Sequence, residues 1–256
     1  MAYYNEIDPF CCGVLKARIA DGRLPGGQVD GRDVREVRPD EIPAGQVHLF
    51  AGIGGFAYAA RLAGLPDDFD IWTAGFPCQD ISTAGKGAGL SAPRSGLWRE
   101  VVRCLRVVRP PRLLVENVAA LLGRGMGTVL GDLAGSGYDA EWDCLPASTF
   151  GARHLRCRVF ISAHAGILPD ADPFGRIYSS QRHTALSVFG GFSTPEAWPG
   201  LDEPELFGDL DGIPGGLDFV QQANAAYGNA IVPQVAAKIM RTMTDLPLLA
   251  GTEAKS

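Results

Sequence analysis

The fold is decided by residues 46–56, which read QVHLFAGIGGF. Residues 46–51 are mostly apolar and predict a β-strand, and residues 56–64 predict a helix that ends at a glycine. The glycines between them form a strand-to-helix turn, where a ligand can approach the backbone and face the helix N-terminus. A short turn of this kind is more often plain loop geometry than a cofactor site, and this one lacks the third glycine of the dinucleotide fingerprint.

Strands and helices alternate on both sides of this stretch. Further strands are predicted over residues 2–7, 28–34, 71–74, 113–115, 138–145 and 158–163. Further helices are predicted over residues 9–20, with Asp8 as the N-cap, and over residues 94–109, 126–134 and 231–246. This alternation predicts an α/β fold with a doubly wound, mostly parallel sheet.

One region breaks the pattern. Residues 166–217 lose apolar periodicity and are rich in Pro, Gly, Asp and Ser, which is typical of a long loop, a small irregular subdomain or a partly disordered insert. The remaining residues, 1–165 and 218–250, then form the main domain, and residues 251–256 form a tail.

The length, composition and net charge limit the kind of protein that this chain can be. The chain has 256 residues, 46% of them hydrophobic, which suits one large domain with a substantial core. A net charge of -6 disfavours a phosphate-rich partner, although arginines cluster over residues 99–112 and 153–158 and can form a local basic face.

The cysteines and the N-terminus indicate a compartment. Six cysteines occur without a CxxC pair, which disfavours a metal site or a disulfide framework and favours the cytoplasm. The first residues lack the regions of a signal peptide, and no apolar run is long enough to span a bilayer.

Acidic residues follow two of the predicted strands. Glu6 is placed to bind ribose hydroxyls, as acids do in other doubly wound nucleotide sites, and Asp33 can accept a hydrogen bond from an adenine amino group. The alternative for Glu6 is an exposed acid, and for Asp33 it is an acid in a loop.

Cys78 lies in the segment Pro77-Cys78-Gln79. A lone cysteine is more often an inert buried residue than a nucleophile. Here the surrounding stretch is polar and rich in glycine, as expected of an exposed catalytic loop, and Lys86 or an arginine nearby favours the thiolate.

Glu116 directly follows the apolar run Leu113-Leu114-Val115. Burying a carboxylate costs free energy, so we expect Glu116 at the carboxyl end of the strand, where ligands bind in such sheets. Arg156 and Arg158 open a later strand on one face, and both guanidinium groups can point the same way. A solvated basic edge is the alternative for this arginine pair.

Together these segments resemble the DNA cytosine-5 methyltransferase family. The similar segments are residues 50–56, Pro77-Cys78-Gln79, Glu116-Asn117-Val118, Arg156 with Arg158, and residues 228–234, which read GNAIVPQ. In the family the two acidic segments follow the glycine loop, whereas here they precede it. We therefore predict a rearranged order, with the second and third sheet strands placed before the first, similar to a phage and prophage subset of the family.

The resemblance also implies a cofactor, partners and roles. It implies S-adenosylmethionine, double-stranded DNA, no metal and no membrane, with a cognate restriction endonuclease as a candidate partner. It also implies that residues 166–217 are a small variable region that recognises the target sequence. The implied cofactor-binding residues are Glu6, Ile7, Asp33, Val34, Phe50, Gly52, Gly54, Pro77, Leu97 and Asn229, and the implied DNA-binding residues are Gln79, Ser82, Lys86 and Arg94.

Four residues are implied in catalysis. Cys78 attacks C6 of a flipped cytosine, Glu116 donates a proton to N3, Arg158 orients Glu116, and Arg156 supports the loop or a phosphate. Three alternatives stay open: a methyltransferase-like DNA-binding protein without turnover, an RNA cytosine-5 methyltransferase and a nicotinamide dehydrogenase.

Overall fold

A seven-stranded sheet lies at the centre of the computed structural model, which describes residues 1–77, 95–150, 152, 156–166, 226 and 228–245. The strands are β1 (Ala2–Asn5), β2 (Gly27–Asp30), β3 (Gln46–Leu49), β4 (Ile71–Ala74), β5 (Arg112–Val118), β6 (Tyr138–Pro146) and β7 (Cys157–Ala165). Their order across the sheet is β2-β1-β3-β4-β5-β7-β6, so the two strands that come first in the chain lie outside the strand that carries the glycine loop. Neighbours from β2 to β5 are parallel, and β7 is antiparallel to both β5 and β6.

Helices pack on both faces of this sheet. They are α1 (Pro9–Ala20), α2 (Gly55–Leu62), α3 (Trp98–Val108), α4 (Leu121–Arg124), α5 (Met126–Gly135) and α6 (Pro233–Asp245). Side chains of α3 and α5 pack with Trp72 and Val115 on one face, while α2 and α6 pack with Leu114 and Phe160 on the other. The predicted doubly wound, mostly parallel α/β fold is therefore confirmed. Among the described residues, no helix is both long and apolar enough to cross a membrane.

Local chemistry accounts for the elements that the sequence predicts best. Helix α1 and strand β4 have the predicted bounds. The Asp8 side chain caps α1 by accepting a hydrogen bond from the Cys11 backbone N–H at 3.0 Å, and Pro9 occupies the first helical position. Most of the predicted variable region over residues 166–217 lies outside the described residues, as does the predicted tail.

Other bounds differ because neighbouring strands decide where pairing stops. Strand β5 is longer than predicted: β7 pairs along it as far as Val118, whereas β4 pairs with it only as far as Val115. The predicted strands over residues 2–7, 28–34 and 46–51 end early, at Asn5, Asp30 and Leu49. Their remaining residues form loops at the carboxyl edge of the sheet, which is where ligands bind in open α/β folds.

Gly54 makes the turn into α2, and a substitution at this position tests the backbone geometry of the turn. Its φ is +89°, and a Cβ built there would lie 2.5 Å from Leu24 Cδ1. We expect Gly54→Ala to lower the free energy of unfolding by about 1–3 kcal/mol, because a side chain is strained in this conformation. Denaturant unfolding measures the change.

Gly13→Ala is the matched control. Gly13 is exposed within α1, and a Cβ there would meet nothing within 4 Å. This variant should be more stable than the wild type by about 0.5–1 kcal/mol. Equal stability of the two variants would contradict the geometry assigned to the turn.

Candidate active site

A cavity of about 430 Å³ opens at the carboxyl edge of the sheet. Its volume lies within the usual range for small-molecule sites, roughly 300–1,000 Å³. The loops after β1, β2, β3 and β4 line it together with the end of β5. Sequence-predicted residues that line it are Glu6, Ile7, Asp33, Val34, Phe50, Gly52, Pro77, Leu97, Glu116, Arg158 and Asn229. The structure therefore brings together side chains from distant parts of the chain.

The glycine loop wraps one side of this cavity in an unusual backbone conformation. Phe50, Gly52 and Gly54 all have positive φ, at 55°, 54° and 89°. For a bulky residue such as Phe50 this conformation is uncommon and strained, which is typical of ligand-binding turns. Gly54 does not line the cavity, and its role in binding the cofactor stays a prediction. It faces Leu24 and serves the turn into α2.

Glu6 ties the end of β1 to the glycine loop. Its carboxylate accepts a hydrogen bond from the Gly52 backbone N–H at 2.7 Å and another from the Asp8 backbone N–H at 2.9 Å. A carboxylate has about four acceptor positions, so both oxygens keep capacity for a further donor such as a ligand hydroxyl.

An apolar wall with one acid faces the cavity from the loops after β1 and β2 and from the residue before α3. Ile7 is an apolar side chain that remains 60% exposed, and it lies on the cavity together with Val34 and Leu97. Asp33 is held by Arg35, whose Nε and backbone N–H both donate to it at 2.9 Å. This pairing lowers the pKa of Asp33 and keeps it ionised as an acceptor.

Glu116 is the buried acid of the site. It lies one residue beyond the last pair between β4 and β5, and only 7% of it is exposed. Arg158 Nε lies 3.0 Å from Glu116 Oε1, on the same face of the sheet. Burial nevertheless raises the pKa of Glu116 to about 7, against the opposing charges of Arg158 and Arg156. The group can therefore give up or take up a proton near neutral pH.

Arg156 holds a different part of the site. Its Nη2 donates to the Gly228 carbonyl oxygen at 2.9 Å and also to that of Ala230. These contacts clasp the segment that carries Asn229, which lines the cavity. Burial lowers the pKa of the Arg156 guanidinium group, and the charge of Arg158 adds to this effect.

Asn117 has a role that the sequence did not reveal. Its Nδ2 donates to the Phe76 carbonyl oxygen at 3.2 Å, and its Oδ1 accepts from the Val118 backbone N–H at 2.8 Å. This buried amide fixes the backbone directly before Pro77. The available signal was a polar residue in an apolar strand, because such a group needs a partner when it is buried.

Five predicted site residues lie in a segment that the structure does not describe. They are Cys78, Gln79, Ser82, Lys86 and Arg94. Pro77, the residue before Cys78, lines the cavity that also contains Glu116. Within the described ranges, no group of three or more His, Cys, Asp or Glu side chains is arranged to hold a metal ion.

Comparison with known proteins gives consistent matches. A family model described as C-5 cytosine-specific DNA methylase matches residues 1–183. The chain is 37% identical over 147 residues to the Type II methyltransferase M.BanI of Aneurinibacillus aneurinilyticus, which covers 56% of this chain and 31% of the relative. It is 32% identical over 199 residues to the Type II methyltransferase M.NgoBI of Neisseria gonorrhoeae, which covers 73% of this chain and 53% of the relative. The chain thus spans about a third to a half of these relatives.

A solved structure matches the fold over a longer part of the chain. The Entamoeba histolytica methyltransferase EhMeth superposes with a TM-score of 0.57 at 10% sequence identity. The match covers 95% of this chain and 89% of that structure. At this level of identity the likeness supports the fold alone.

The raised pKa of Glu116 predicts that the stability of the protein falls as the pH rises. The folded protein holds this proton up to about pH 7, whereas the ordinary value of the group is 4.5. The stability that the protonated group contributes is therefore complete below about pH 4.5 and is lost as the pH rises through 7. Relative to Glu116→Gln, the wild type should lose about 2 kcal/mol of unfolding free energy between pH 5 and pH 8. Urea unfolding across this range measures the difference.

Glu36→Gln is the control, because Glu36 is an exposed glutamate in the loop after β2. Its difference from the wild type should stay nearly constant over the same pH range. A constant difference for Glu116→Gln as well would contradict the assignment of a buried, proton-holding carboxyl.

Proposed function

The chain belongs to the family of C-5 cytosine-specific DNA methylases, and from that premise we propose that it transfers a methyl group from S-adenosylmethionine to C5 of cytosine in double-stranded DNA. One observation carries the proposal. Glu116, a buried carboxyl with a pKa of about 7, is held by Arg158 beside a cavity that is large enough for a cofactor. A proton donor of this kind suits a reaction that must neutralise charge on a heteroaromatic ring.

The cavity suits S-adenosylmethionine, which supplies an electrophilic methyl group when it is bound. An adenine ring needs apolar contact and an acceptor for its amino group, and a ribose needs acceptors for its hydroxyls. The residues proposed to hold the cofactor are Ile7, Val34 and Leu97 at the adenine ring, Asp33 at its amino group, Glu6 at the ribose, and Phe50, Gly52, Gly54, Pro77 and Asn229 around the remainder.

The chemistry on the base begins when the target cytosine leaves the duplex, because its C6 is inaccessible within the stack. The Cys78 thiolate then forms a bond to C6, and Glu116 gives its proton to N3. C5 becomes nucleophilic and takes the methyl group of S-adenosylmethionine, so that a C–C bond forms, the S–CH3 bond breaks and S-adenosylhomocysteine is the leaving group. A base removes the C5 proton, the bond from Cys78 to C6 breaks, and the proton on N3 returns to Glu116.

Other residues position these groups. Arg158 orients Glu116 through their ion pair, and Arg156 holds the segment around Asn229 through its carbonyl contacts. Gln79, Ser82, Lys86 and Arg94 are proposed to contact DNA.

The organisation of the chain forms part of the same proposal. In the family's usual motif order, the strands equivalent to β1 and β2 follow the strand equivalent to β3. Here they precede it in the chain, and this order is similar to that of the phage and prophage subset. Their place beyond β3 in the sheet supports this rearrangement. We also propose that residues 166–217 recognise the target sequence, that the protein acts in the cytoplasm, and that a restriction endonuclease is its partner.

The reaction is tested with S-adenosylmethionine labelled on its methyl group. We expect label in long duplex DNA and 5-methylcytosine after its digestion, measured by mass spectrometry. Transfer RNA is the parallel substrate. Label in transfer RNA alone would favour the RNA reaction, and cofactor binding without label in either would favour a binding protein. Bisulfite sequencing of the product locates the methylated sites.

The proposed nucleophile makes a separate prediction. Cys78→Ser should abolish methyl transfer, because the hydroxyl is a far weaker nucleophile than a thiolate. Calorimetric titration should show that cofactor binding is largely retained. Cys144→Ser, which alters a half-buried thiol on β6, should keep wild-type activity. Turnover by Cys78→Ser at the wild-type rate would remove Cys78 from the mechanism.

A further inference from the structure

We infer that Arg103 is a positioning residue for the part of the cavity that receives the adenine ring, an inference that rests on the proposed function. Arg103 lies on α3 and does not line the cavity itself. It acts through the loop of residues 31–38, which follows β2 and carries Asp33 and Val34.

The contacts of Arg103 reach far along the chain. Its Nη2 donates to the Val34 carbonyl oxygen at 3.0 Å and to the Val37 carbonyl oxygen at 2.9 Å. Its Nε donates to Glu100, one turn earlier on the same helix, at 2.6 Å. Glu100 therefore holds the guanidinium group at Nε while Nη2 binds the loop. Hydrogen bonds from a charged donor are stronger than neutral ones.

The loop of residues 31–38 is held by the buried side chain of Val37, which packs in the core with α3, and by Arg103, because its place in the fold gives it little backbone pairing. It follows β2, which is the edge strand of the sheet formed by the described residues and pairs there with β1 alone. Its internal backbone bonds are local turns, from the Glu36 N–H to the Asp33 carbonyl and from the Val37 N–H to the Val34 carbonyl. Asn5 holds only the start of the loop, through the Arg32 carbonyl at 2.9 Å.

Arg103 also couples two parts of one wall. Leu97 lies directly before α3 and lines the cavity, as does Val34 on the loop. Because Arg103 joins the helix to the Val34 backbone, it sets the separation between these two side chains. A flat ring needs that separation to be fixed in advance, since ordering a loop during binding costs affinity.

The test compares Arg103→Met with the wild type. Methionine keeps much of the aliphatic stem but removes every donor. We expect the Kd for S-adenosylhomocysteine, measured by calorimetry, and the KM for S-adenosylmethionine to rise about tenfold. The kcat at saturating cofactor should stay within about twofold of the wild type, because Arg103 touches no reacting atom. Arg103→Lys, which restores a charged donor, should lie between the two.

Arg106→Met is the matched control. Arg106 lies one turn further along α3, is exposed, and donates to Ser136 Oγ at 3.2 Å. It should bind the cofactor as the wild type does, and thermal unfolding of both variants checks that they are folded. Equal affinity of Arg103→Met and the wild type would overturn the inference, as would equal weakening in both variants or a fall in kcat without a change in KM. A wild-type protein that binds no cofactor would instead overturn the proposed function.

Discussion

The active site depends on the burial of one carboxyl group, that of Glu116. Water stabilises a carboxylate strongly. At Glu116, β5 still pairs with β7, whereas its pairing with β4 has ended one residue earlier. The group is therefore close to an open cavity and yet is itself shielded, which raises its pKa to about 7. Arg158 limits this rise and fixes the direction in which the carboxyl points. A longer β4 or a shorter β7 would remove this combination.

The surrounding loops are joined across the carboxyl edge by polar contacts between distant parts of the chain. Glu6 binds the glycine loop, Asn117 binds the chain before Pro77, and Arg156 binds the segment around Asn229. Each of these side chains projects from or beside a strand end and holds the backbone of another loop. The loops thereby gain a defined geometry even though the sheet ladders have ended. Such preorganisation lowers the cost of binding a ligand.

The sequence predicted the fold and most of the cavity because those features have local signals. Asp8 and Pro9 mark the start of α1, and the apolar runs mark the strands. It did not predict where β5 ends, because β7 decides that, and it did not predict that Gly54 packs against Leu24 from an earlier loop. The net charge disfavoured a phosphate-rich partner, yet the chain belongs to a DNA methylase family. The net charge of the whole chain does not show that arginines lie together at one site.

The pKa of Glu116 in the folded protein can be measured directly. Carbon-13 labelling of the glutamate side-chain carboxyls allows each one to be titrated by NMR, and Glu116→Gln identifies the resonance of interest. A resonance that is lost in this variant and titrates with a midpoint near pH 7 is the predicted result. A midpoint for the Glu116 resonance near its ordinary value of 4.5 would contradict the view that burial holds a proton at this position.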